Sequence, residues 1–503
     1  MISEHFPALI VVTPLILSFV VFAVGLFDRR YCFPLVIIAL GACIHFAVSM
    51  MKKVIAQGSA IHYYLGAWAP PWGIEYVVDH LNALVLVSIA VISFLVAIYS
   101  NSNVKRELPE AKLPQFYTLF LLQVTGLFGI TITGDAFNLY VLLEIASFSA
   151  YAIIAMGENG AQFAAFRYMI FGTIGACAYL LGVGYLYIIT GSLNMADLSK
   201  LLPPLYHSKV LIAGFSFLLV GIGIKMALFP VHTWLPDSYT LAPSSVSALL
   251  APLFTKVGAY VLIRVMFTIF DPSFSVTIFP VTEILGWVGA TGIIFASILA
   301  LAQTDLKRML CYLIVVEIGF IVIGIASANR FGLTGAIFHI INDMFMMACL
   351  FTAAGAIFSQ IGTRNIYQFR ILHKTMPITM AVFIIGALSV IGVPPMCGFF
   401  SKWYLILGVI QAKKWVYLAV ILIGSLLNAI LFFRVLENAY FKTRNNIENT
   451  LNNKGVTVTL DRIPKGELIP MMCFAVIIIL LGIFSGKIIN NIIQFAIPGA
   501  LQG

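Results

Sequence analysis

Fourteen runs of this chain are apolar for about twenty residues or more, the length a helix needs to cross a bilayer. They fall near 7–27, 34–54, 79–100, 115–133, 135–156, 163–190, 209–240, 243–269, 280–303, 306–327, 331–358, 376–411, 415–440 and 467–490. A soluble domain has no place for so many: 61% of the 503 residues are hydrophobic and only 10% charged. The expected fold is therefore an all-α polytopic membrane protein with fourteen transmembrane helices. The first run lacks the basic region and small-residue cleavage site of a signal peptide, so it is expected to stay as a helix. Seven cysteines stand singly, with no CxxC pair and no clustering with the eight histidines, which argues against a disulfide framework, a zinc site or an iron–sulfur centre. The net charge of +9 lies between the apolar runs, where it orients helices rather than binding nucleic acid.

Two runs are too long for one plain helix and carry prolines inside: Pro230 and Pro236 in 209–240, Pro394 and Pro395 in 376–411. Both read as broken helices, which a membrane tolerates only where the freed backbone groups face protein or water. They are the seventh and twelfth runs, and an odd offset between them implies opposite orientation. The pattern predicts an inverted repeat of helices 4–8 and 9–13. The corresponding organisation is 1–114 for helices 1–3, 115–270 for the first five-helix repeat, 280–440 for the second, and 441–503 for a polar loop and helix 14. An even number of spans puts both termini on one side of the cell (inner) membrane. If that side is external, internal loops hold about sixteen Lys and Arg against about eight outside, with Arg29, Arg30, Lys105, Arg106, Lys112, Lys307, Arg308, Arg364, Arg370, Lys374 and the stretch 442–465 as the main contributors. That Asn-rich stretch reads as a surface contact or mobile segment rather than a domain.

An ionisable side chain at a helix centre costs roughly 2.5–3.5 kcal/mol to insert, so it faces a bundle interior or a water-filled cavity. Glu144, Lys225, Lys256, Glu317 and Asp343 all lie near the middle of their runs; His339 is one turn before Asp343, and Lys402 follows the Pro394–Pro395 break. Six charges of mixed sign from six helices would form a polar row across the membrane centre. Burial disfavours a charged ammonium and a nearby carboxylate favours it, so a moving partner toggles whether a lysine there holds a proton. Arginine would stay charged throughout. The competing reading is that these are structural ion pairs, which two broken helices and six charges make the weaker one. His232 and Asp237, in the first break, read equally as water-contacting relay groups or as partners for freed backbone. Arg264, Arg434 and Glu437 read as snorkelling anchors near helix ends, and His45 as a hydrogen-bonded packing residue.

Several stretches resemble one family: GIKMALFPVHTWLPDSY (223–239), APSSVSALLAPLFTKVGAYVLIR (242–264), AQTDLKRMLCY (302–312), GVPPMCGFFSKWYL (392–405) and GDAFNLYVLLEIASFSAYAI (134–153). They are similar to the antiporter-like subunits of respiratory complex I, membrane-bound hydrogenases and Mrp sodium/proton antiporters. The early LGAWAPPWGIEYVVDHLNAL (65–84) looks most like the D-type subunit of Mrp antiporters. The resemblance covers helices two to thirteen. It implies that Glu144 is the acid on the fifth helix, Lys225 its partner on the broken seventh, Lys256 the relay on the eighth and Lys402 the outlet lysine on the broken twelfth. It implies other membrane subunits as partners, in contact with lipid, and no cofactor in this chain. The chain looks like the shorter family type, without a long lateral helix. Where family members often have histidine and lysine in the eleventh helix, this sequence has Asn342 and Met347. Leu313, Ile314 and Glu317 stand where small hydroxyl residues and glutamine are common.

The resulting expectation is a proton-translocating, antiporter-like subunit of a multisubunit complex, with protons moving and sodium left open. Alternatives are a structural subunit that has lost transport, or a stand-alone secondary transporter. Glycines in GVGYLYIITGSL (182–193) are expected to serve close helix packing, not a cofactor loop. Any redox chemistry is expected of partners. Glu317 and Asp343 are expected to face the bundle interior, compensated by Lys256, Lys402 and His339.

Overall fold

The computed structural model describes residues 2–157, 160–369, 372–441, 461 and 463–501. Arg370 and nearly all of the 442–465 stretch therefore lie outside the described residues. The helices are α1 (Phe6–Phe27), α2 (Cys32–Gln57), α3 (His80–Glu107), α4 (Leu113–Ile132), α5 (Ala136–Ile154), α6 (Ala161–Thr190), the short α7 (Met195–Leu201), α8 (Lys209–Lys225), α9 (Trp234–Leu241) and α10 (Ser244–Arg264). There follow α11 (Val281–Ala302), α12 (Leu306–Ala326), α13 (Arg330–Ile361), the single turn α14 (Leu372–Thr375), α15 (Pro377–Ile391), α16 (Cys397–Gln411), α17 (Trp415–Tyr440), α18 (Lys465–Ile483) and α19 (Ser485–Asn491). Twelve helices among the described residues are long and apolar enough to cross a membrane. The seventh and twelfth sequence runs are not among them, because each is divided into two shorter helices, α8 with α9 and α15 with α16. One departure from an all-helical chain is a hairpin of β1 (Ile61–Tyr64) and β2 (Glu75–Val78), antiparallel, between α2 and α3.

The two halves are closed by the same device. The Asp135 side chain accepts from the Asn138 amide at the start of α5, and Asp305 accepts from the Arg308 amide at the start of α12. Each satisfies an amide that a helix start leaves orphaned. Asp135 also bridges Asn194, and Asp305 bridges Asn365, so each helix start is stitched to the segment after the next helix. The Asn194 and Asn365 side chains cap in turn, accepting from Asp197 and Tyr367 amides. The same pair of caps thus recurs at α5 and at α12.

Burial is graded across the bundle. Helices α10, α12 and α13 are largely enclosed, whereas only about a third of the residues in α1, α2 and α17 are buried. Enclosure requires small residues where backbones meet: a Cβ on Gly221 of α8 would stand 2.6 Å from the Gly175 carbonyl oxygen of α6, and one on Gly182 would stand 2.7 Å from that of Gly214. Gly182 thus serves packing as expected. Gly184 meets open space.

The first break begins before either proline. α8 stops at Lys225, Ala227 adopts a left-handed conformation (φ 56°), and the Leu228 amide returns to the Gly223 carbonyl at 2.8 Å. Pro230 lies in the connection, whereas Pro236 is the third residue of α9, where a missing N–H costs nothing. The Ile224 carbonyl accepts from the Ala227 amide at 3.2 Å and from the indole N–H of Trp234 at 3.0 Å, and the indole ring stacks on Tyr168 at 4.0 Å. At the second break, Gly392 is left-handed (φ 95°) and the Lys402 ammonium itself donates to the Val390 carbonyl at 2.6 Å. Asp461, at the edge of the polar loop, accepts from the Ile378 and Thr379 amides and so caps α15. Trp234→Phe keeps the stacked ring but removes one of the two donors to the buried Ile224 carbonyl, a loss of about 0.5–1.5 kcal/mol. A lower thermal unfolding midpoint in detergent, with Tyr168→Phe near wild type, is the expected result.

Candidate functional site

The fifth and seventh runs meet at Lys225. Its ammonium lies 3.2 Å from Glu144 Oε1 and donates to Ser147 Oγ at 2.7 Å. Ser147 is one turn beyond Glu144 on α5, so a single helix face supplies both partners. Because Trp234 takes the broken-helix carbonyl, the Lys225 ammonium is left to these side chains. Lys225 is buried while the Glu144 side chain keeps 16% exposure. A cavity of about 20 Å³, room for one water, adjoins Lys225 and is otherwise lined by apolar groups including Leu127, Ile130, Val257 and Val261.

In the second half, Lys256 of α10 and Asp343 of α13 form an ion pair at 2.9 Å with both side chains fully buried. The ammonium also donates to the Ala251 carbonyl at 3.1 Å. Glu317 Oε2 lies 2.9 Å from His339 Nε2, and the other ring nitrogen lies 2.9 Å from Ser401 Oγ. Asn428 of α17 donates to Glu317 Oε1 at 3.0 Å. Both carboxylates thus point into the interior, as their mid-run positions require. Lys256 and His339 are their partners; Lys402 touches neither, because it is held by Val390, by Ser425 Oγ at 3.3 Å and over the Phe320 ring at 4.3 Å. Asn342 donates to the Cys397 carbonyl at the start of α16, and Met347 is buried. Ser147, Ser401 and Asn428 were not singled out from the sequence, although each is a polar residue within an apolar run.

Several of these side chains have partners that their places in the sequence do not show. Asp237 is bracketed by Arg167 at 2.7 Å and Arg308 at 3.1 Å, tying α6 to α12, and its side chain keeps 28% exposure. His232 is buried, and its ring stacks on Phe229. Arg264 does not snorkel, since Asp79 draws it into an ion pair at 2.6 Å and Tyr260 accepts from its Nε at 2.8 Å. Arg434 turns inward to the carbonyls of Leu301 and Gln303 at the end of α11. His45 packs edge-on against Phe6 on an exposed face of α2.

Residues 133–428, which contain Glu144, Lys225, Lys256, Glu317, His339, Asp343 and Lys402, match the family profile described as NADH:quinone oxidoreductase/Mrp antiporter, TM. The chain belongs to this family. The N subunit of NADH-quinone oxidoreductase from Desulforudis audaxviator (strain MP104C) is 43% identical over 506 residues, 99% of this chain and 100% of that protein. The D subunit of a Na(+)/H(+) antiporter from Bacillus subtilis (strain 168) is 32% identical over 425 residues, 83% of this chain and 82% of the relative. Among solved structures, a chain of the membrane-bound sulfane sulfur reductase, an archaeal respiratory membrane complex, superposes with a TM-score of 0.88 at 30% identity, covering 97% of this chain and 96% of that one. A chain of the Mrp complex from Dietzia sp. DQ12-45-1b gives 0.87 at 23% identity, covering 99% and 97%, a likeness of fold. This protein is thus a multi-pass, antiporter-like membrane subunit.

A buried pair loses about 3–5 kcal/mol when one partner is removed, yet replacing both by apolar groups is often neutral. Asp343→Asn is therefore expected to lower the unfolding midpoint sharply, and Lys256→Met with Asp343→Leu to restore most of it. If the pair serves transport, the restored double variant stays inactive in a proton-flux assay. Full activity would make the pair purely structural.

Proposed function

We propose that this chain is the proton-translocating subunit of a multisubunit membrane complex, of the Mrp cation/proton antiporter or the complex I-like and hydrogenase-linked kind. Other membrane subunits are its partners. It sits in the cell (inner) membrane with both termini external, the side that leaves most loop Lys and Arg inside. Glu144, Lys225, Lys256 and Lys402 transfer protons, and Glu317, His339 and Asp343 carry them through the second half. Side chains and water suffice for this, so the chain works without a cofactor of its own.

The observation that carries the reading is the sequence of buried partners: Glu144–Lys225, then Lys256–Asp343, then Glu317–His339 with Ser401, then Lys402. Every lysine can be discharged if its partner withdraws, and every carboxylate can be protonated if its cation leaves. Relatives named as D-type subunits of Na(+)/H(+) antiporters support the same reading.

Lys225→Ala is expected to abolish proton-coupled activity while the complex still assembles, since the break beside it is set by Ala227 and Trp234. Glu144→Gln is expected to behave alike, its ammonium losing the carboxylate that favours the charge. Native gels and proton flux in proteoliposomes read the two outcomes; retained flux in either variant would defeat the paired toggle, and lost assembly would favour a scaffold role.

A further inference from the structure

A second cavity, of about 100 Å³, opens between the hairpin, α4 and α10, with room for several waters. Its walls include His62, Glu75, Asp79, Thr133, Tyr260 and Arg264. It lies on the face that carries the N-terminus, because α2 and α4 both return there and α5 starts there. Glu75 is its least ordinary group: a carboxylate 4% exposed, with Oε1 2.6 Å from His62 Nδ1 and Oε2 accepting from Asn194 at 2.8 Å. The His62 side chain is 51% exposed. Glu75 therefore joins the interior to the surface through one imidazole.

The cavity ends close to the small one beside Lys225. On α10 the small cavity is lined by Val261 and the large one by Arg264; three residues of helix are about 4.5 Å of rise, so less than one turn lies between them. Ile130 near the end of α4 and Thr133 just past it line the two cavities in the same order. The dividing layer is a closed set of bonds. Tyr260 donates to the Thr131 carbonyl at 2.8 Å and accepts from Arg264, which is paired with Asp79, and Asn82 donates to that same carbonyl at 3.1 Å. The Asp79 carboxylate is fully engaged, paired with Arg264 at 2.6 Å and accepting from the Leu81 and Asn82 amides at 3.0 Å each. Asp79 is thus committed to Arg264, and Glu75 with His62 is left as the exchangeable pair.

We propose that the two cavities form a proton passage between Lys225 and the N-terminal face, with Glu75 and His62 as its outer exchange station and the Tyr260–Thr131 bond as its gate. When the gate opens, the Lys225 ammonium gives one proton to water in the small cavity. That water passes it to the Glu75 carboxylate, and His62 releases it to the surface. No other covalent bond changes. The first half would then exchange protons with this face directly, without the route through Lys402. The proposal rests on the transport reading above, and its test separates the two.

Proton flux is measured in proteoliposomes holding the intact complex, with Glu75→Gln and Lys225→Ala side by side. The passage requires Glu75→Gln, which keeps the Asn194 contact, to assemble normally and lose flux several-fold. Wild-type flux in Glu75→Gln beside a dead Lys225→Ala overturns the passage and leaves the transport reading standing; unaffected flux in both overturns both. A second measurement does not depend on folding of the Gln variant. His62→Ala, at the exposed end of the passage, is expected to assemble and lose flux several-fold, and imidazole added on the N-terminal face to restore it. Wild-type flux in His62→Ala, or a loss that imidazole does not restore, contradicts the passage.

Discussion

A charge inside a dry bundle must be paired or it costs several kcal/mol, and Lys256 with Asp343 shows that constraint at its strictest. Neither side chain has any exposed surface, and 2.9 Å separates them. Their helices, α10 and α13, can lie at the centre only because each neutralises the other. The enclosure then extends to α12, which brings Glu317 to His339 on α13 and to Asn428 on α17. Helices on the outside, such as α1, contribute apolar surface. The gradient of burial follows the distribution of charge.

The two helix breaks meet the same need in different ways. Each break frees carbonyls that water cannot reach. In the first half the Ala227 amide and the Trp234 indole answer, so Lys225 is available to Glu144 and Ser147. In the second half the lysine answers, so Lys402 is anchored to Val390 and stacked over Phe320 while Glu317 pairs with a histidine. Lys225 is thus built to exchange partners with α5, whereas Lys402 must leave a backbone carbonyl before it can accept a carboxylate. The halves share a frame, with Asp135 and Asp305 at equivalent helix starts, but not an equivalent response to charge.

Much of this was legible in the sequence because membrane segments follow local rules. Length and hydropathy located the helices, prolines marked the neighbourhoods of the two breaks, and a mid-run charge announced an inward-facing side chain. The Asp135 and Asp305 caps also had a local signal, an aspartate at the head of an apolar run. What stayed illegible depends on partners far apart in the chain. Arg264 looks like an anchor until Asp79 is folded beside it, and Glu75 looks like a loop residue until Asn194 covers it. Asp237 takes its meaning from Arg167 and Arg308, on two different helices. No spacing rule chooses between Trp234 and Lys225 for the Ile224 carbonyl; only the packing of the indole on Tyr168 does.

The account stands on protons residing on these side chains during turnover, which infrared difference spectroscopy of the working complex in proteoliposomes observes directly. It predicts that a protonated-carboxyl band rises and falls as the complex turns over, shifts in deuterated water, and loses separate components in Glu144→Gln and Glu317→Gln. A spectrum in which the carboxyl region stays unchanged through turnover, while transport proceeds, would contradict it.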